Sequence, residues 1–237
     1  MIRELVWDST LLGKKIGRLT ITAASRATLV ADLKRAASGG FAYVTCKVQG
    51  HDERIIRLLE SSGFYLSDIG ITWQKDIDIL SGGICVEPQT PETIRIADEH
   101  DIPEIRKMSR SLFTQSRFYH DPFFSKRDAD TIYQEWAENS VRKGAADIVF
   151  YLPNGGFITC CKKARGIGEI VLIGLRPMFR RRGYGTKMVH TALQWFSDNR
   201  VRNVRVRTQA KNISAMNFYL KSGFMVREID IVYGLIL

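Results

Sequence analysis

The chain has 237 residues, 45% of them apolar, and a formal net charge of +10. That apolar share supports a packed core over one large or two small domains and excludes disorder as its description. No run reaches the roughly 18–20 apolar residues a membrane helix needs. The first ten residues show no basic stretch followed by an apolar one, so the expectation is a cytoplasmic protein without secretion signal or membrane insertion.

Cys46, Cys85, Cys160 and Cys161 form no C-x-x-C pair, and the adjacent Cys160 and Cys161 would point to opposite faces of a strand. Free thiols are expected, with no disulfide frame and no metal site. Lysine and arginine are spread from Arg3 to Arg227, with no long basic tail and no aromatic–basic RNA-binding string. No nucleic-acid partner is expected. The positive charge reads as a solvated surface or as attraction for a phosphorylated small molecule.

In chain order, residues 4–7 and 18–22 read as short strands, and 28–37 as a helix ended by Gly39 and Gly40. Residues 43–48 form a strand. Residues 53–61 form a helix with Ile55, Ile56, Leu58 and Leu59 toward a core, closed by Gly63 as a left-handed cap. A long strand over 65–77 follows, bent at Gly70. The same succession returns at the end of the chain, where the helix carrying Phe218 and Tyr219 also closes in Ser-Gly-Phe. Ile229, Ile231 and Tyr233 then stand where the first copy has Ile69, Ile71 and Trp73. This is a degenerate internal repeat of strand–helix–strand–helix–strand. The first copy has residues 23–27 in place of a glycine turn, and Leu59 in place of Tyr219.

Residues 81–91, with Gly82-Gly83 and two prolines, read as a linker between domains 1–83 and 91–237. The second domain opens with a strand at 93–96, then a helix with Asp101 as cap, Pro103 in its first turn, and Ile105, Met108 and Leu112 on one face. Another helix within 125–143 carries Ile132, Tyr133, Trp136 and Val141. A hairpin pairs 147–152 with 156–163 around Pro153-Asn154-Gly155. The apolar run 170–175 is a buried strand. Arg180-Arg181-Arg182-Gly183-Tyr184-Gly185 follows, then an amphipathic helix with Met188, Val189, Ala192, Leu193 and Phe196 on one face, and a strand at 203–208 in which Val204 and Val206 alternate with arginines.

Strand, glycine turn and helix together suit a pyrophosphate. A helix start leaves N–H groups unpaired and partly positive, glycines let phosphate approach the main chain, and arginines add charge. The string is neither a Walker nor a dinucleotide pattern, because no Lys-Ser/Thr pair and no third glycine follow.

Arg180-x-x-Gly183-x-Gly185 resembles the acyl-CoA loop of the GNAT acetyltransferases. The order of elements over 93–237 and the opening Ile94-Arg95-x-Ala97-x-x-x-Asp101-Ile102-Pro103 resemble that family as well. The resemblance implies a mixed α/β GNAT fold preceded by a smaller, partial GNAT-like α/β domain. It implies acetyl-CoA as co-substrate and direct attack by an amine, with no covalent intermediate. It places pantetheine on the main chain of a splayed strand at Leu172, Ile173, Gly174 and Leu175. It puts the pyrophosphate on Arg180, Arg181, Arg182, Gly183, Tyr184, Gly185 and Thr186, with Asn212 and Asn217 beside the CoA arm.

Tyr219 takes the position of an acid that protonates the leaving thiolate. The base is open between Glu169, at the start of the central strand, and Asp68, in the first domain. Arg117, Phe118, Tyr119, His120 and Asp121 occupy the region that covers the acceptor site in this family. That string, together with 136–142 and the Gly63-Phe64 turn followed by Asp68, is similar to nucleotide-sugar acetyltransferases of the family. A nucleotide-linked amino-deoxy sugar is therefore the expected acceptor. The alternatives are a protein N-terminus or another small amine, and, outside enzymes, a CoA-sensing or nucleic-acid-binding relative. The aromatic residues of 118–124 read as an acceptor wall or as a homodimer contact.

Overall fold

The computed structural model describes residues 1–21, 25–77 and 93–237. The linker expected at 81–91, the domain boundaries resting on it, Cys85 and the first residues of 23–27 lie outside them. The elements run β1 (Ile2–Glu4), α1 (Val6–Leu12), β2 (Ile16–Leu19), α2 (Arg26–Ser38), β3 (Tyr43–Gln49), α3 (Glu53–Glu60) and β4 (Tyr65–Asp76). There follow β5 (Arg95–Ile96), α4 (Ile102–Leu112), α5 (Lys126–Val141), β6 (Ile148–Leu152), β7 (Gly156–Lys163), β8 (Ile167–Leu175), α6 (Tyr184–Asp198), β9 (Asn203–Gln209), α7 (Ile213–Lys221) and β10 (Met225–Ile236). The class is mixed α/β, as expected.

The ten strands among the described residues belong to one sheet, ordered β1-β2-β3-β10-β4-β9-β8-β7-β6-β5. β2 and β3 are parallel, and so are β8 and β9. The last strand of each half pairs antiparallel with the preceding strand of the other: β10 with β3, and β4 with β9. β4 and β10 pair in the middle. The two halves thus exchange their final strands within one sheet.

The repeat extends to local hydrogen bonds. Asp52 accepts from the Ile55 N–H at 3.2 Å, and Asn212 from the Ala215 N–H at 3.2 Å. The Phe64 N–H donates to the Leu59 carbonyl at 3.1 Å, and that of Phe224 to Tyr219 at 3.0 Å. Gly63 and Gly223 close the two helices at φ +87° and +80°, a conformation that penalises a Cβ.

Sheet residues alternate between two cores, as a period of two requires. Phe150 and Leu152 pack under α6 with Met188, Val189, Ala192 and Phe196. Val149 and Tyr151 pack under α4 and α5 with Ile105, Met108 and Tyr133. A third core joins α2 and α3 to β3 through Leu29, Leu59, Val44 and Cys46. Cys160 is buried and Cys161 is not, as their opposite faces demand, and both are free thiols, as is Cys46. Among the described residues no helix is long and apolar enough to cross a membrane.

Three local expectations are corrected. Residues 4–7 are not a strand: β1 stops at Glu4 and Val6 begins α1. Contacts with β2 override the strand preference of Val6 and Trp7, because the Leu5 N–H donates to the Ile16 carbonyl at 2.8 Å and Ser9 Oγ accepts from the Ile16 N–H at 3.0 Å. Asp101 stands at the N-cap position of α4 without capping it. Its carboxylate takes Arg95 at 2.6 and 2.7 Å, a charge-assisted pair stronger than a cap bond. β4 keeps regular pairing with β10 through Ile69, Gly70 and Ile71, so Gly70 is not a bend. It makes room instead, since a Cβ there would lie 1.8 Å from Arg207 Nη2.

Candidate active site

The parallel pairing of β8 with β9 ends at Ile170 and Val206, although β8 runs on to Leu175 and β9 to Gln209. The divergence coincides with a bulge. Thr159 opposes Leu172 while Cys160 opposes Ile170, leaving Val171 as the extra residue on β8. A bulge bends its strand and raises the local twist, and here it turns β8 away from β9. The Leu172 N–H is taken by Thr159 Oγ1 at 3.0 Å. Residues 172–175 then keep β7 on one side and face the opening on the other.

A cavity of about 610 Å³ occupies this opening, lined by Glu169, Leu172, Ile173, Arg207, Asn212 and Tyr219 among others. Its size falls within the usual range for small-molecule sites. Among the described residues no group of three or more His, Cys, Asp or Glu is placed to hold a metal ion.

Beyond the end of β8 lies the glycine turn. Gly183 is the N-cap of α6 at φ +83°, and no side chain caps the helix. The Lys187 N–H returns to the Gly183 carbonyl at 3.0 Å, so the N–H groups of Tyr184, Gly185 and Thr186 precede the first intrahelical bond and remain open to a ligand. Arg180 Nε donates to the Leu175 carbonyl at 2.8 Å, tying the turn to the strand end. Arg180, Arg181 and Arg182 are exposed, whereas the Tyr184 ring is buried in the core, leaving only its main chain to offer. Arg182→Glu combined with Gly183→Val should abolish acetyl-CoA binding in a calorimetric titration. The pair reverses a charge and puts a β-branched side chain where φ is positive; retained binding would place the carrier elsewhere.

Tyr219, on α7, is 4% exposed and packs against Trp73 and Phe224 while lining the cavity. Its hydroxyl has no hydrogen-bond partner among the described residues, and burial raises its pKa well above the usual phenol value. Glu169 also lines the cavity, but it is the third residue of β8 rather than its first and pairs with Lys163 at 3.3 Å. Asp68 lies on β4, off the cavity lining. Its Oδ2 is buried without a partner. Burial pushes its carboxyl up, against the opposing fields of Arg207, Arg117 and Lys211. Asn212 lines the cavity while capping α7, and Asn217 is exposed and off the lining.

The aromatic string divides. Arg117 and Phe118 line the cavity; Tyr119, His120 and Asp121 do not. The Tyr119 hydroxyl donates to Asp130 at 2.7 Å, and His120 Nε2 lies 3.0 Å from the Thr114 carbonyl. Asp121, 2% exposed, accepts from Tyr43 at 2.7 Å, Tyr65 at 2.8 Å, Ser67 and the Phe123 N–H at 3.0 Å. Phe123 stacks on Tyr43 at 4.5 Å. Asp121 and Phe123 thus fasten the segment to β3 and β4 of the first half, so part of its aromatic surface is used inside the chain.

The first half returns four residues to the cavity that the sequence reading did not single out: Leu5, Trp7, Asp8 and Arg18. No motif marks them. They arrive by way of α1, in a region read as strand, and β2. Burial raises the Asp8 carboxyl, opposed by Arg117 and Arg18.

A family model described as "Acetyltransferase (GNAT) family" matches residues 104–224. A dTDP-fucosamine acetyltransferase of Escherichia coli is 26% identical over 233 residues, covering 96% of this chain and 94% of that protein. Streptothricin acetyltransferase A of Bacillus subtilis is 30% identical over 120 residues, 50% of this chain and 67% of its own length. The crystal structure of a GCN5-related N-acetyltransferase from Sphaerobacter thermophilus superposes with a TM-score of 0.65 at 13% identity, covering 94% of this chain and 73% of that one.

Proposed function

The chain belongs to the GNAT acetyltransferase family, whose members use acetyl-CoA as co-substrate, and from that premise we propose that its acceptor is the amine of a nucleotide-linked amino-deoxy sugar. The full-length similarity to a dTDP-fucosamine acetyltransferase supports this acceptor. The observation that carries the site is the opening between β8 and β9 with the unpartnered Tyr219 hydroxyl on its wall.

Acetyl-CoA lies with its diphosphate on the N–H groups of Tyr184–Thr186 and its pantetheine along residues 172–175. Main-chain N–H groups of the opened strand polarise the thioester carbonyl. The neutral amine attacks that carbon, the C–S bond breaks, and Tyr219 gives its proton to the departing thiolate. The amine proton leaves through water to Asp68. An unpaired, buried carboxyl with a raised pKa is better matched to proton transfer near neutrality than Glu169, which Lys163 holds.

Two variants test this choice. A base must be ionised to act, so kcat/KM rises with pH through its pKa. Asp68→Asn should remove that rise and lower turnover by about 100-fold or more, while Glu169→Gln retains it. The reverse outcome transfers the role to Glu169. The folded carboxyl of Asp68 binds its proton more tightly than the unfolded one. Its ionisation therefore costs stability as pH climbs from the ordinary carboxylate value through the raised one, and Asp68→Asn should have a higher Tm at neutral pH.

A second reading, a protein N-terminus or another small amine as acceptor, draws on the similarity to streptothricin acetyltransferase A. CoA release measured with dTDP-amino sugars, polyamines and peptides separates the two. Turnover of polyamines or peptides alone would sink the sugar reading.

A further inference from the structure

The acceptor end of the cavity holds two guanidiniums that no acid claims. Arg117 Cζ lies over the Phe118 ring, 4.6 Å from its centroid, and Nη1 is fully buried with no hydrogen-bond partner. Arg18, on β2 of the first half, lines the same cavity. Among the described residues neither is within ion-pair distance of a carboxylate. Arg207, which shares the cavity, shows the contrast: it is committed to Asp230 at 2.6 Å. A buried guanidinium nitrogen left unpaired is costly unless a ligand or water completes it.

We propose that Arg18 and Arg117 form a clamp for a diphosphate group on the acceptor, so that the first half of the chain completes the acceptor site. The proposal rests on the nucleotide-linked acceptor above and adds the residues that would select it. A guanidinium presents a planar fork of donors that matches phosphate oxygens, and the cation–π contact with Phe118 restrains one of the two. Trp7 and Trp136 line the same cavity and offer aromatic faces to a nucleobase. The site is separate from the glycine turn, none of whose residues lines the cavity. Asp8 stands in the fields of both arginines and offsets part of their charge. A bound diphosphate takes over that role and meets Asp8 as a like charge.

Opposite signs follow for two variants. The protein is first saturated with CoA, which fills the glycine turn, and dTDP is then titrated in by calorimetry. The wild type should bind dTDP. Arg18→Gln should weaken binding by at least about tenfold, Arg18→Lys should restore part of it, and Asp8→Asn should tighten it. Arg18 is exposed, so Arg18→Gln should keep its Tm and acetyl-CoA affinity. Equal dTDP affinity in Arg18→Gln and wild type, or no dTDP binding by the wild type, overturns the clamp. Turnover keeps the two ideas apart. If dTDP-amino sugars are acetylated with an unchanged KM in Arg18→Gln, the clamp falls and the sugar reading stands. If only polyamines or peptides are acetylated while dTDP binding still depends on Arg18, the sugar reading falls and takes the acceptor role of the clamp with it, leaving Arg18 and Arg117 as a diphosphate site only.

Discussion

Tyr219→Phe should lower kcat by roughly 100- to 10,000-fold while acetyl-CoA affinity and Tm stay those of the wild type. The hydroxyl has no partner among the described residues, so its loss strands no donor or acceptor, and the ring keeps its contacts with Trp73, Phe218 and Phe224. An interaction made only in the transition state shows as a loss in kcat and kcat/KM together. Because burial raises the phenol's pKa, Tyr219 stays protonated to above about pH 10, the ordinary phenol value. Any alkaline fall in rate below that pH belongs to another group. Steady-state kinetics with calorimetry on the same preparations read both quantities, and undiminished turnover in the variant removes the acid role from Tyr219.

The second large effect is on stability and comes from a residue of the same aromatic string. Asp121→Ala should cost on the order of 3–5 kcal/mol, because hydrogen bonds to a charged group are worth about 1.5–3 kcal/mol each and their buried partners are left unsatisfied. For a chain of this size that is a fall in Tm of roughly 10 °C. Three of the donors, Tyr43, Tyr65 and Ser67, lie on strands of the first half. The loss should therefore appear as earlier unfolding with weakened packing of the 113–125 segment. Asp121→Asn, which keeps one carbonyl acceptor, should lose less. An unchanged melting curve for Asp121→Ala would show that the contact carries no net stability. Below the variant's Tm a raised acceptor KM is expected as well, since the loosened segment carries Arg117, which lines the cavity.

Much of the architecture was legible because it rests on local chemistry. The Asn154 turn, the Gly63 and Gly223 caps, the amphipathic face of α6 and the glycine turn before it follow from the conformational limits of particular residues and from helical periodicity. The repeat was visible for the same reason: its marks are cap residues at matched spacing. The misread pieces were those in which a specific side-chain or strand contact outbids a local preference, as the Arg95 ion pair does at Asp101 and β2 does at Val6.

The amino-acid sequence by itself therefore determined the kind of protein: a glycine turn that starts a helix after a buried strand, in the element order of the GNAT acetyltransferases, with Tyr219 on the helix that follows. Only the tertiary structure decided where the first half goes and what it contributes. The exchange of β4 and β10 joins both halves in one sheet, with Asp68 on the exchanged β4, while α1 and β2 bring Trp7, Asp8 and Arg18 to the cavity that Arg117 also lines. Periodicity reports which face of an element is buried, but the partner that buries it is set by long-range strand pairing, which leaves no signature at the residues it brings together.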